Sequence, residues 1–158
     1  MNINIICVGK LKENYLKEAV SEYTKRLSRF TNINIIELPD QKIPEKSNSK
    51  IEEKILEKEG DMILSKIKED SYVIAMCIEG TLISSENLSQ TIGTLAQTKN
   101  NISFIIGGSL GLSDKIKKRA DIKISFGRIT LPHQLMRVIL CEQIYRAFKI
   151  NANETYHK

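Results

Sequence analysis

A chain of 158 residues, with hydrophobic residues at 41% and charged residues at 27%, suffices for one core burying roughly 70% of its unfolded surface, which excludes wholesale disorder and needs no second domain. Twenty-four Lys and Arg against nineteen Asp and Glu leave a net charge of +5, a modest lean toward a polyanionic partner that solubility alone would also explain. No apolar run approaches the roughly 20 residues of a membrane span, and the first residues lack the basic region and apolar core of a signal peptide, so a cytoplasmic protein with no membrane partner is expected.

In chain order, Asn2 to Val8 (NINIICV) predicts a buried first strand, ended by Gly9-Lys10. Glu13 to Phe30 carries Leu16, Ala19, Val20, Tyr23, Leu27 and Phe30 at spacings of three and four, which predicts an amphipathic helix with Lys and Arg on its other face. Ile33 to Leu38 is a second strand. Pro39 to Ser49 has two prolines and no periodicity and reads as a loop. Lys50 to Lys68 resumes helical spacing, with Gly60 a weak point in its middle. Tyr72 to Ile78 (YVIAMCI) is apolar throughout and predicts a central strand. Ser84 or Ser85 can cap a helix carrying Leu88, Ile92 and Leu95. Ile102 to Ile106 is a fourth strand, ending at Gly107-Gly108. Ser113 is a second good cap, opening a short basic helix from Asp114 to Ala120. Ile122 to Phe126 is the last strand, and Pro132 suits the first turn of a long final helix. Strands alternating with helices predict an α/β domain with a mostly parallel sheet covered on both faces.

The common nucleotide fingerprints, GxGxxG after the first strand and GxxxxGK[ST], are absent. Cys7, Cys77 and Cys141 lie far apart in apolar segments without ligand spacing and read as reduced core residues, so no metal is expected. Gly107-Gly108-Ser109-Leu110-Gly111 alone fits a tight strand-to-helix turn. Gly127 to Leu131 adds a second loop at the carboxyl ends of the strands, where open α/β sheets bind ligands through backbone N–H and C=O groups. His133 and Arg137, four apart, share one face of the final helix beside that pocket; a surface histidine and an ion-paired arginine would give the same spacing. Leu135, Val138, Ile139, Ile144 and Phe148 belong to a core or an interface. Lys115, Lys117, Lys118 and Arg119 form a solvated helix face, or a phosphate contact if RNA docks nearby. The tail, Asn151 to Lys158, is polar and by default frayed, yet Tyr156-His157-Lys158 places a ring, an imidazole and a cation together, with Arg146 and Lys149 upstream.

The segments FIIGGSLGL and ISFGRITLPHQLMRVILCEQIYRAFKI, with VGKLKENY after the first strand and the closing ETYHK, resemble the RlmH family of SPOUT-superfamily methyltransferases over essentially the whole chain. The resemblance implies one domain, 1–158, of the SPOUT-type α/β fold. Its sheet would be mostly parallel and flanked by helices, with a C-terminal trefoil knot, a knotted cofactor-binding part at about 72–150 and a tail at 151–158. Physics alone would draw an unknotted sheet, because threaded chains are rare. The resemblance also implies S-adenosyl-L-methionine as methyl donor, contacted by Met76, Gly107, Phe126, Gly127, Arg128, Ile129, Thr130 and Leu131. Met76 stands where relatives often carry Leu, which keeps an apolar floor.

The implied activity is methylation at N3 of a pseudouridine in helix 69 of 23S ribosomal RNA, in the assembled ribosome. The implied partner is a second copy, a homodimer packed through the last helix, with each tail reaching the other pocket. Of the only two histidines, His157 in the tail is the expected general base and His133 its neighbouring candidate. Arg137 and Tyr156 complete the expected catalytic set, Arg137 as a phosphate or orienting group, and Lys158 and Arg146 are expected to bind the RNA substrate. Two alternatives stay open. One is a non-enzymatic ribosome- or RNA-binding factor. The other is a SPOUT methyltransferase for another RNA, although Gly80 to Ser85 lacks the arginine that relatives acting on a tRNA ribose use.

Overall fold

The computed structural model describes residues 1–158. Its Ile- and Val-rich segments form five strands, β1 (Asn2–Val8), β2 (Asn32–Leu38), β3 (Tyr72–Leu82), β4 (Asn101–Ile106) and β5 (Ile122–Ser125). They make one sheet in the order β2-β1-β4-β3-β5, with every pairing parallel. The helices are α1 (Asn14–Leu27), α2 (Ser49–Leu64), α3 (Ser85–Thr98), α4 (Asp114–Arg119) and α5 (His133–Asn151).

Side chains alternate across each strand, so the sheet has two buried faces. Ile3, Ile5 and Cys7 of β1 join Ile74, Met76, Phe104 and Ile106 in the core under α1, α3 and α5. Ile6 and Val8 face the other way with Val73, Ala75 and Ile105, against Ile63 of α2 and Ile116 of α4. Tyr72–Ile78 is thus interior, as expected, with β4 at the centre of the sheet. α5 returns from the β5 edge to pack on α1 and α3. Ser89 Oγ donates to Asn151 Oδ1 at 2.6 Å, and Phe148 stacks on Phe30 with ring centroids 5.6 Å apart.

Several boundaries differ from the sequence reading. β3 runs on to Leu82 because, beyond a bulge after Met76, Thr81 and Leu82 pair again with Ile124 and Ser125 of β5. Gly80 sits in that bulge, where a Cβ would lie 2.7 Å from the Ile124 backbone. α1 and α2 stop earlier than their apolar spacing suggested, at Leu27 and Leu64. Ser84, not Ser85, caps α3, its Oγ accepting from Asn87 N at 3.1 Å. Ser113 precedes α4 without capping it: its hydroxyl is buried and makes no hydrogen bond. Gly60 does not break α2, and the helix passes so near Ser113 there that a Cβ would sit 2.5 Å from that hydroxyl. No helix is long and apolar enough to cross a membrane.

Candidate active site

A cleft of about 910 Å³ opens at the carboxyl ends of β3, β4 and β5. Every residue expected to hold the cofactor lines it: Met76, Gly107 and the run Phe126 to Leu131. Sequence reasoning missed Cys77, Glu79, Lys117 and Met136, which line it too. They come from β3, α4 and α5, which only the tertiary fold brings together.

Two backbone loops form the walls. The first leaves β4 at Gly107, where a Cβ would meet the Gly111 carbonyl oxygen at 2.3 Å, so only glycine permits so tight a return. Gly111 has φ +81° and its N–H donates to Gly108 O at 3.0 Å, closing the turn. The second loop is pinned by Ser125, whose hydroxyl donates to Gly127 O at 2.6 Å and accepts from Gly127 N at 3.2 Å. Gly127 has φ +151°, and the space a Cβ would take there is open. Arg128 reaches back to the β3 bulge, donating to the carbonyls of Ile78 and Gly80, which joins the second wall to β3. Ile129, 78% exposed, forms the rim.

Charge is sparse inside. Lys117 and Glu79 pair with each other at 2.5 Å, a contact that raises the Lys117 pKa and lowers that of Glu79. His133 stands at the mouth. Burial, and secondarily the Arg137 charge, hold its pKa below the ordinary value against the opposing pull of Asp40, so the imidazole is neutral at pH 7.

Arg137 is the first correction. Although four residues from His133, it is fully buried and does not line the cleft. Its Nη1 donates to Glu37 Oε2 at 2.7 Å and its Nη2 to Gly9 O at 2.9 Å, so it ties α5 to the ends of β1 and β2 and is closed to any phosphate. The basic cluster of α4 is the second. Lys115 is paired with Glu57 and Asp61, Lys117 with Glu79 and Arg119 with Asp121, which leaves Lys118 as its one unpaired cation.

The tail, frayed only by default, is held against its own chain. Tyr156 packs edge-on to Tyr145 at 5.0 Å, lies 4.7 Å from the Arg146 guanidinium and donates to Glu142 Oε1 at 3.2 Å; burial and then the Glu142 charge raise its pKa to about 12. His157 Nδ1 faces Arg146 Nη1 at 3.3 Å and its Nε2 faces Glu86 Oε1 at 2.7 Å. The Glu86 carboxyl is held at about 2 by its own backbone N–H, then by His157 and Ser84. Lys158 stays exposed. Tyr156, His157 and Arg146 therefore gather on α3 and α5, and none lines the cleft of its own chain. No three His, Cys, Asp or Glu side chains converge as metal ligands.

The cleft can hold a nucleoside-sized molecule by backbone groups, over an apolar floor of Met76 and Ile106. A family model described as a predicted SPOUT methyltransferase matches residues 1–157. The chain is 58% identical to a ribosomal RNA large subunit methyltransferase H of Clostridium novyi and 59% identical to one of Streptococcus uberis, covering the full length of both proteins in each case. A protein of the same name from Lactobacillus acidophilus is 55% identical over the full length of both chains. Among solved structures, a probable methylase family protein from Haemophilus influenzae Rd KW20 shares the fold with a TM-score of 0.55 at 14% identity, covering 99% of this chain and 70% of that one.

Proposed function

Because the chain belongs to the SPOUT methyltransferase family, we propose that it transfers a methyl group from S-adenosylmethionine to N3 of a pseudouridine in helix 69 of 23S ribosomal RNA, within assembled ribosomes. The observation that carries this reading is the cleft, in which Met76, Gly107 and Phe126 to Leu131 converge from three separate strand ends. A site of this kind suits S-adenosylmethionine. The tight Gly107 turn and the open face of Gly127 leave room for a ligand against the main chain, and adenine and ribose need only N–H and C=O partners. The ribosomal substrate is supported by the names of relatives 55–59% identical over their full length.

Once bound, the sulfonium supplies a methyl group already activated for displacement. The protein's share is alignment, which can lower the barrier by several kcal/mol: the Gly107 and Gly127 to Leu131 backbone fixes the donor, and Met76 fills the space beneath. The acceptor N3 must also lose its proton. His133 is neutral and at the mouth of the cleft; His157 is the candidate from a second copy. A homodimer fits the exposed flank of α5, where Leu135 is 38% exposed and Val138 and Ile139 are half-buried. Packing a second α5 there would carry each tail toward the other cleft. The trefoil knot belongs to the same reading, supported by the return of the chain from the edge strand β5 to α5 between α1 and α3.

Calorimetric titration with S-adenosylhomocysteine tests the pocket: saturable binding is expected, weakened more than tenfold in Gly107→Ala. Absence of binding would favour a non-enzymatic ribosome-binding factor. Single-turnover methylation by His133→Ala and His157→Ala then assigns the base, and full turnover by a variant at neutral pH removes that residue from the role.

A further inference from the structure

The segment from Gly9 to Lys17 takes no part in the cleft, yet it is tethered beside it at three points. Gly9 O accepts from Arg137 Nη2 at 2.9 Å, Leu11 N donates to Glu37 Oε2 at 2.8 Å, and Lys12 N donates to Gln134 Oε1 at 3.0 Å. Gly9, at φ +90°, comes so near the cleft histidine that a Cβ would lie 3.3 Å from His133 Nε2. The charge of Lys12 is felt at that imidazole, which it helps keep neutral.

This tethered segment presents both positive charge and a ring to solvent. Lys10, Lys12 and Lys17 are all exposed, and their ammonium groups meet no acid: Glu13 and Glu18, nearby in sequence, pair with none of them. Lys117, which lines the cleft, is by contrast neutralised by Glu79. Tyr15, on the first turn of α1, is 67% exposed, and no other aromatic ring of the chain is exposed. An uncovered ring amid unpaired lysines suits single-stranded nucleic acid, where bases stack on aromatic faces and lysines take phosphates.

We infer that Lys10 to Lys17 is an RNA-docking patch at the mouth of the cleft, in which Lys10, Lys12 and Lys17 hold backbone phosphates and Tyr15 stacks on an unpaired base. The inference rests on the proposed RNA substrate and names the surface that receives it. The tethers to Arg137, Glu37 and Gln134 make the patch preorganised, so its ordering is not charged to binding.

The test is binding of purified ribosomes by the full-length protein, without cofactor, across a series of salt concentrations. Lys10→Ala/Lys12→Ala/Lys17→Ala is expected to reduce the slope of log affinity against log salt by about 2. Tyr15→Ala should weaken binding about tenfold, with Tyr15→Phe close to wild type. Affinity for S-adenosylhomocysteine should be unchanged in all of them. An unchanged salt slope, a Tyr15→Phe protein as weak as Tyr15→Ala, or binding lost only together with the wild-type oligomeric state, as for a protein interface, would overturn the patch. The two readings fail separately. Wild type that transfers methyl while every patch variant binds normally removes the patch alone; variants with the expected losses, in a protein that transfers no methyl, uphold the patch and remove the proposed reaction.

Discussion

Arg137 Nη1 donates to Glu37 Oε2 at 2.7 Å across a sequence separation of 100. The guanidinium is fully buried while Glu37 keeps about a third of its side chain in water. Because Nη2 also donates to Gly9 O, one arginine of α5 fixes the carboxyl ends of β1 and β2, and with them the position of His133 at the cleft.

Arg137→Ala should therefore cost stability first. Removing one member of a buried pair typically costs about 3–5 kcal/mol, and the lower end, about 3 kcal/mol, is expected here because Glu37 can regain water. Urea unfolding reads it. A variant as stable as wild type but weaker on ribosomes would return Arg137 to RNA binding.

Gly107→Ala should reduce affinity for S-adenosylhomocysteine by more than tenfold and stability by about 1–3 kcal/mol. Its Cβ would meet the Gly111 carbonyl oxygen, a backbone atom that cannot rotate away. Gly108→Ala should be milder, because its nearest neighbour is the Val8 side chain at 3.1 Å.

The three thiols should separate by reactivity. Burial pushes Cys7 and Cys141 up to about 12, so neither should react with iodoacetamide in the native protein. Cys77 lines the cleft; its pKa is raised, by burial first and Glu79 second, so it should react slowly at pH 8 and more slowly still with S-adenosylhomocysteine bound. Peptide mass mapping of the alkylated protein reads all three.

Glu59, behind the glycine loop, is 5% exposed and accepts from Gln41 N at 3.3 Å. Burial raises its pKa, so the folded state holds the proton more tightly than the unfolded chain. Its stabilising effect is complete below the unfolded carboxyl value of 4.5 and fades as pH rises through the folded one. Glu59→Gln should melt above wild type at pH 8, and the difference should shrink as pH falls toward 4. A constant difference across that range would contradict the assignment.

Strand and helix order was legible because short apolar runs rich in Ile and Val, most of them ended by glycine, and apolar spacings of three and four carry it, from NINIICV onward. The second half of β3 was not: Glu79-Gly80-Thr81 looks like a turn, and only pairing with β5 beyond the bulge keeps it extended. The glycine loops identified the cleft because turn geometry is local. Arg137 misled, since helical spacing gives a shared face but not what that face meets, and Gly9 and Glu37 are far off in sequence. The tail looked free for the same reason, its anchors Glu86, Glu142 and Arg146 being set by tertiary packing.

The most direct test is transfer of labelled methyl from S-adenosylmethionine to ribosomes and, in parallel, to naked 23S RNA, both from cells lacking this protein. The proposed function requires label on the ribosomes, mapping to N3 of one pseudouridine in helix 69, and little on the naked RNA. Label on neither, from a protein that binds S-adenosylhomocysteine, would contradict the proposed substrate.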